Sequence, residues 1–375
     1  MRTELIPIEW MTPGMQAHNT ALHFGDENLP KVYIQASLHA DEMPGSLAAY
    51  HLHKALLKLE QEGRLKAHIV LVPLCNPLGL AQSIDYMHIG RFHLPTGQNF
   101  NRLYTVPIKD ILLADLEKNP LAFTSDAKEN VRLIRERLGN LLANIQPSTN
   151  VHSMHLNLLR LCSDADIVLD LHCDNFSVLH MYTTPTGWEV LSPLAAYLGS
   201  ECQILSADSN ASSFDEVYST LWSAVQARYP EAAIDKHAFV SATVEFRGEY
   251  DLTHENGQKD AEGILQFLGS RGYIDLPKQE PVPALVNEAH PLEGLYYVPA
   301  PMTGIVVYKV KQGEWVSAGQ DLADVVNPIT LESITVKSEH YGFVFALSGA
   351  RVAVGERKLA SISCPFDVGN GGLSP

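Results

Sequence analysis
Two hydrophobic periods alternate along the first 275 residues. Residues 31–37 and 68–73 are short apolar runs that read as strands, and 166–171 is almost continuously apolar, as expected of a strand covered on both faces. Residues 178–183 and 242–246 have the same character. Between these runs the spacing turns helical. In 126–143, Val131, Ile134, Leu138, Leu141 and Leu142 share one helical face, and 191–199, 214–228 and 260–268 read likewise. A further helix is predicted over 44–62, opened by Pro44, whose missing N–H costs nothing in a first turn. Strands alternating with helices predict an α/β sandwich.

The pattern changes near residue 275. Prolines at 277, 281 and 283 mark a linker, placed at 276–298. Beyond it, β-rich runs are separated by glycines (Thr303-Gly-Ile-Val-Val-Tyr, Gly313-Glu-Trp-Val, Gly342-Phe-Val-Phe-Ala), which predicts a small all-β domain over 299–365. The glycine-rich end, 366–375, is expected to fray.

Composition narrows the function. With 46% hydrophobic and 19% charged residues, the chain can bury a large core. Forty-three acidic against 27 basic residues give a net charge of −16, and no run of Lys or Arg offsets it. Nucleic acid and anionic membranes are therefore excluded as partners, and no stretch approaches the ~18 consecutive apolar residues of a membrane span. The start lacks a signal peptide's basic, apolar, small-residue order. Five cysteines, an odd number without CxxC spacing, argue against a disulfide framework or zinc knuckle and fit a reducing, cytoplasmic setting. Homo-oligomerisation is compatible with all of this.

Candidate chemistry gathers at predicted strand ends. His39 and Glu42 form an HxxE just past strand 31–37, where side chains three apart can turn toward one point. Sixteen histidines make about one accidental HxxE expected, and His290-Pro-Leu-Glu293, behind no strong strand, is assigned to chance. His172 ends strand 166–171. Asp170, two residues earlier, shares its face and suits an orienting partner for the imidazole. Two imidazoles and a carboxylate with an open position are a catalytic zinc set. Glu245 follows the apolar run 242–246 as a candidate general base, against the blander reading of a surface Glu–Arg pair with Arg247. The segment from Asn76-Pro77 through Arg91 to Asn99-Phe-Asn101-Arg102 offers guanidinium groups suited to carboxylates and carbonyls.

In this order, HxxE, NP, R…NR, DLH and strand-VE over about residues 30–270, the chain resembles the succinylglutamate desuccinylase/aspartoacylase family. The resemblance implies a zinc carboxypeptidase-like fold: a three-layer α/β/α sandwich with a mixed, mainly parallel sheet. It implies one Zn²⁺ per chain held by His39, Glu42 and His172, with Glu245 as the catalytic glutamate and Arg91 polarising the scissile carbonyl. Asn101 and Arg102 would bind the substrate carboxylate. The implied reaction is hydrolysis of a small N-acyl amino acid. The family pattern has Asp where this chain has Asn99, which implies a looser setting for Arg102. Tyr296 and Tyr297 match a family tyrosine by position only. The C-terminal run Ala300-Pro-Met-Thr-Gly304 … Gly319-Gln320 is similar to a biotinyl/lipoyl barrel-sandwich domain. Its hairpin stretch, Val325-Val-Asn-Pro-Ile-Thr330, holds no lysine, so no attached cofactor is expected and the module would shape the cleft entrance or a subunit contact. Two other readings stay open: a zinc carboxypeptidase acting on peptides, and a binding protein with a degenerate metal site.

Overall fold
The computed structural model describes residues 1–102 and 106–369. Its main sheet has nine strands. In chain order they are β1 (Arg2–Pro7), β2 (His18–Phe24), β3 (Lys31–Ala36), β4 (His68–Val72), β5 (Ile167–Asp174), β6 (His180–Thr183), β7 (Cys202–Leu205), β8 (Val240–Gly248) and β9 (Ala289–Pro291). In space the order is β1-β2-β4-β3-β5-β8-β6-β7-β9. Five of the eight pairings are parallel, and those of β1 with β2, β2 with β4 and β6 with β8 are antiparallel. The sheet is therefore mixed and mainly parallel. Strand β9 lies inside the stretch assigned to the linker and adds to the edge of this sheet.

Eight helices over the described residues cover the two faces: α1 (Pro44–Gln61), α2 (Pro77–Leu80), α3 (Ile108–Lys118), α4 (Ala127–Asn144), α5 (Asn150–Cys162), α6 (Pro185–Leu198), α7 (Phe214–Arg228) and α8 (His254–Ser270). Alternation along the strands builds one core per face. Ile34 and Leu71 pack with Leu52 of α1, Leu194 of α6 and Ile264 of α8. Tyr33 and Val70 face Leu112 of α3, Ile134 of α4, Met154 of α5 and Leu221 of α7. Helix α5 was not legible as a helix, because it is buried nearly all round and His152, His155 and Asn157 interrupt any apolar stripe.

After β9 the chain forms a separate all-β region with its own core of Val298, Val306, Val316, Leu322, Val344 and Ile362. Its strands are β10 (Leu295–Pro299), β11 (Gly304–Tyr308), β12 (Glu314–Val316), β13 (Asp321–Val326), β14 (Ser333–Lys337), β15 (Gly342–Leu347), β16 (Val352–Ala353) and β17 (Lys358–Ser363). They pair antiparallel in two small sheets, β14-β13-β11-β16 and β15-β17-β10 with β12 on β15. Phe176–Ser177, just past β5, pairs with Leu347 and Ala346 of β15, which ties this region to the mouth of the main sheet. Of the tail expected to fray, 370–375 lie outside the described residues. Among the described residues no helix is long and apolar enough to cross a membrane. All five cysteines are buried and unpaired.

Candidate active site
The carboxyl ends of β3, β5 and β8 meet where the chain leaves β3 for β4 on one side and later returns as β5 on the other. Ligands of open α/β sheets bind at such switch points. Past β3 the chain turns sharply. Ser37 takes a left-handed φ of 59° and its hydroxyl donates to the Glu42 carbonyl (3.0 Å), curling the HxxE back on itself. Asn76 then clamps the turn: its Nδ2 donates to the Leu38 carbonyl (2.7 Å) while its Oδ1 accepts from Gly79 N at the head of α2. Gly90 packs on the same turn so closely that a Cβ there would lie 2.1 Å from Asp41 N, and this brings Arg91 against the site.

His39, Glu42 and His172 converge, all nearly fully buried. His39 Nδ1 lies 2.8 Å from Glu42 Oε1, and His172 Nδ1 lies 2.7 Å from Oε2. Behind each ring stands an acceptor. His39 Nε2 is 2.8 Å from Asn99 Oδ1, whose orientation is fixed because it also accepts from Asn101 N. His172 Nε2 is 2.9 Å from Asp170 Oδ2. These acceptors call for an N–H at each Nε2 and turn both Nδ1 atoms toward the Glu42 carboxylate, where a metal ion would replace any Nδ1 proton. Unprotonated nitrogens and a carboxylate at such separations repel, so positive charge belongs among them: a proton on an imidazole, the neighbouring Arg91 guanidinium or a metal ion. Burial opposes charge on these groups, yet the two imidazoles hold Glu42 well below the usual carboxylate range, and Asp170 and Glu42 hold His172 well above the usual histidine range. The donor set therefore fits a zinc ion: two imidazole nitrogens and a carboxylate, each oriented from behind.

A second group with ligand atoms within 4.8 Å of one another, His23, Glu27 and His68, lies at the opposite end of the parallel strands. There Glu27 is exposed and already held by Arg2 (2.7 Å).

The other candidates fall around the first group. Glu245 sits beside His172 in the β5–β8 register, with Oε2 buried and lacking a hydrogen bond among the described residues. Burial first, then the Glu42 charge, push its carboxyl up to about 8. Arg247 does not pair with it and instead reaches Asp260 on α8. Arg91 Nη1 lies 3.0 Å from Glu42 Oε1 and 3.3 Å from His39 Nδ1. Asn101 is buried and its Oδ1 accepts from Phe214 N, a donor in the first turn of α7. Arg102 donates to the Asn101 carbonyl (2.8 Å) and lines the cleft, where burial and the nearby Arg91 lower its pKa. Asn99, read from the sequence as a weaker support for Arg102, instead orients His39.

The cleft has a volume of about 810 Å³ and is walled partly by the C-terminal region, through Tyr297, Phe345 and Lys358. Of the two tyrosines, Tyr297 faces it, whereas Tyr296 packs edge-on against His340 (5.0 Å). Neighbouring strand residues point to opposite faces, so only one of them could. Sequence reasoning missed Gln35, which donates to Asp170 Oδ1 (2.9 Å) and accepts from the Tyr33 hydroxyl (2.8 Å). It also missed His155 of α5, whose Nε2 bonds the Phe100 carbonyl (2.9 Å) between Asn99 and Asn101. A polar residue in an otherwise apolar strand was the only available sign of Gln35.

Comparisons with known proteins concern the fold and the family. A succinylglutamate desuccinylase/aspartoacylase family protein from Shewanella amazonensis has the same fold, with a TM-score of 0.81, 24% identity and coverage of 98% of this chain and 100% of that one. A succinylglutamate desuccinylase/aspartoacylase from Rhodobacter sphaeroides gives 0.63 at 16% identity, covering 97% and 96%. The product-bound ectoine utilization protein EutE (DoeB) from Ruegeria pomeroyi gives 0.64 at 13%, covering 93% and 90%. These likenesses are of fold. No curated protein matches the chain. The model of the succinylglutamate desuccinylase/aspartoacylase catalytic domain matches residues 28–270, and the chain belongs to that family.

Proposed function
We propose that this protein is a zinc-dependent deacylase that hydrolyses the amide bond of a small N-acyl amino acid. The observation that carries the reading is the convergence of His39 Nδ1, both oxygens of Glu42 and His172 Nδ1 at 2.7–2.8 Å, with Glu245 alongside. These three residues would hold one zinc ion, whose Lewis acidity acidifies water toward a pKa of ~7 and polarises a carbonyl.

The remaining steps belong to the chain's own groups. Glu245, a buried carboxyl raised to about 8 and so of increased basicity, accepts the proton of the attacking water and returns it to the departing nitrogen. Arg91, beside the donor set, stabilises negative charge developing on the acyl oxygen. Arg102 takes the substrate carboxylate, while Asn101 secures it through its carbonyl and anchors the loop to α7. Asp170 and Asn99 fix the two imidazoles.

The test is amine release from a panel of N-acetyl and N-succinyl amino acids and from tripeptides, with zinc-loaded protein. Hydrolysis of acyl amino acids alone supports the proposal. Hydrolysis of tripeptides alone would favour a carboxypeptidase, and turnover of neither would favour a binding protein.

A further inference from the structure
Among the described residues, two imidazoles and a carboxylate meet in one other place, at the far end of the sheet from the cleft. His23 of β2 is paired with Val70 of β4, so His68, two residues before Val70, stands diagonally from it on the same face. His23 Nδ1 lies 3.1 Å from His68 Nε2, and both rings are buried. Two nitrogens on one tetrahedral zinc, each ~2.0–2.1 Å from it, stand about 3.3–3.4 Å apart, close to that separation. Glu27, in the turn between β2 and β3, brings a carboxylate oxygen within 4.8 Å of both. The turn is anchored at Gly25, whose N–H donates to Glu60 Oε1 (3.0 Å) and whose φ of 78° and packing on the Ala67 carbonyl leave no room for a side chain. The contact between the rings uses one proton. His23 Nε2 is buried and has no hydrogen bond among the described residues, although Glu4 Oε2 lies 3.0 Å away. That carboxylate favours the proton on Nε2 and leaves the Nδ1 lone pair toward His68, where an ion would replace the single shared proton. Burial keeps both rings in the neutral state that binds metal, with His68 lowered to about 4. Arg2 reaches Glu27 only at Oε1 (2.7 and 3.0 Å), so Oε2 is left for a ligand. The charges of Arg2 and Lys31 are already met by Glu4, Glu27 and Asp164.

We propose that His23, Glu27 and His68 form a second metal site, taking Zn²⁺ and tying the β2–β3 turn to the start of β4. Imidazole and carboxylate are zinc donors, and water completes the coordination. Because Glu27 is exposed and shared with Arg2, this site is weaker than the buried active-site set and fills when zinc is supplied beyond one equivalent. Its place at the opposite end of the parallel strands makes its role structural and independent of the reaction.

Metal-free protein is titrated with Zn²⁺ against a chromophoric chelator. The wild type is expected to bind two ions, of which His68→Gln loses only the weaker and His172→Ala only the tighter. Glu27→Gln, a surface change that does not threaten folding, should weaken the second ion at least ~10-fold, the lower end for losing an interaction with a charged group. Raising zinc from one equivalent to several should raise the urea midpoint of the wild type and not that of His68→Gln. A weaker step that survives His68→Gln, or one that Glu27→Gln leaves unchanged, would overturn the site; if His68→Gln does not fold, Glu27→Gln decides. A wild type with a single step removed by His172→Ala would also overturn it. A single step removed instead by His68→Gln would leave this site standing and remove the active-site metal, so the two readings fail separately.

Discussion

Replacing Asp170 with asparagine preserves shape and alters only charge and proton, so it reads the His172 tautomer directly. Asp170 is fully buried; its Oδ2 lies 2.9 Å from His172 Nε2 and its Oδ1 accepts from Gln35 Nε2 at 2.9 Å. A carboxylate only accepts, so the imidazole proton sits on Nε2 and the Nδ1 lone pair faces Glu42. In Asp170→Asn, the Gln35 donor selects the amide oxygen and turns the NH₂ toward His172. Nε2 must then accept, the proton moves to Nδ1, and the lone pair needed for the metal is lost. Flipping the new amide restores an acceptor behind His172 only if Gln35 also flips and the Tyr33 hydroxyl becomes its acceptor, and the charge is lost in either case. Orienting partners of this kind are worth ~10- to 100-fold in metal affinity. At ~1.4 kcal/mol per decade that is about 1.4–2.8 kcal/mol. Zinc competition against a chromophoric chelator measures it, with circular dichroism and urea unfolding to establish that the variant is folded. Wild-type zinc affinity in folded Asp170→Asn would refute the tautomer argument.

Other expectations follow from the same geometry. Glu245→Gln should keep its zinc and lose ~10²- to 10⁴-fold in kcat, and near-wild-type turnover would exclude a proton-transfer role. Gly90→Ala must displace the Asp41 backbone, which a Cβ would approach to 2.1 Å; overpacking of this kind costs ~1–3 kcal/mol, and an unchanged urea midpoint would contradict the contact. Burial holds His155 at about 4, below its usual value near 6.5, so the unfolded chain takes up its proton first as pH falls. Its stability contribution is complete above pH ~6.5 and is lost down to pH ~4, about 3 kcal/mol in all at ~1.36 kcal/mol per unit. Urea unfolding at several pH values should therefore give a steeper acid loss for wild type than for His155→Gln, and parallel curves would show that His155 is not the group responsible.

The parts of the site written close together in sequence were legible, and those joined by long-range register were not. His39 and Glu42 are three residues apart behind an apolar strand, and Asp170 and His172 share one face of another, so period and spacing alone brought out both pairs. That Gln35 supports Asp170 follows from their being partners across β3 and β5, a pairing no local pattern encodes. The role of Asn99 depends on a 60-residue separation from His39, and Lys358 lines the cleft from the C-terminal region, whose β15 pairs with Phe176–Ser177 beyond β5. The fold shows the same division. The covered strands and amphipathic helices stood out, whereas β1 and β2 at the sheet edge and the nearly all-round buried α5 carried no clean period. The bland reading of Glu245 as a surface partner of Arg247 failed because a left-handed turn at Arg247, with φ of 62°, sends that side chain to Asp260.

The central claim is that His39, Glu42 and His172 form the metal site. Metal per chain, measured by elemental analysis on protein prepared without chelators or a metal-affinity tag, tests it most directly when wild type and His172→Ala are compared. The expected result is about one zinc per chain in the wild type and its loss in the variant, with the fold retained. A wild type that holds no zinc and takes up none, or a variant that keeps full occupancy, would contradict the account.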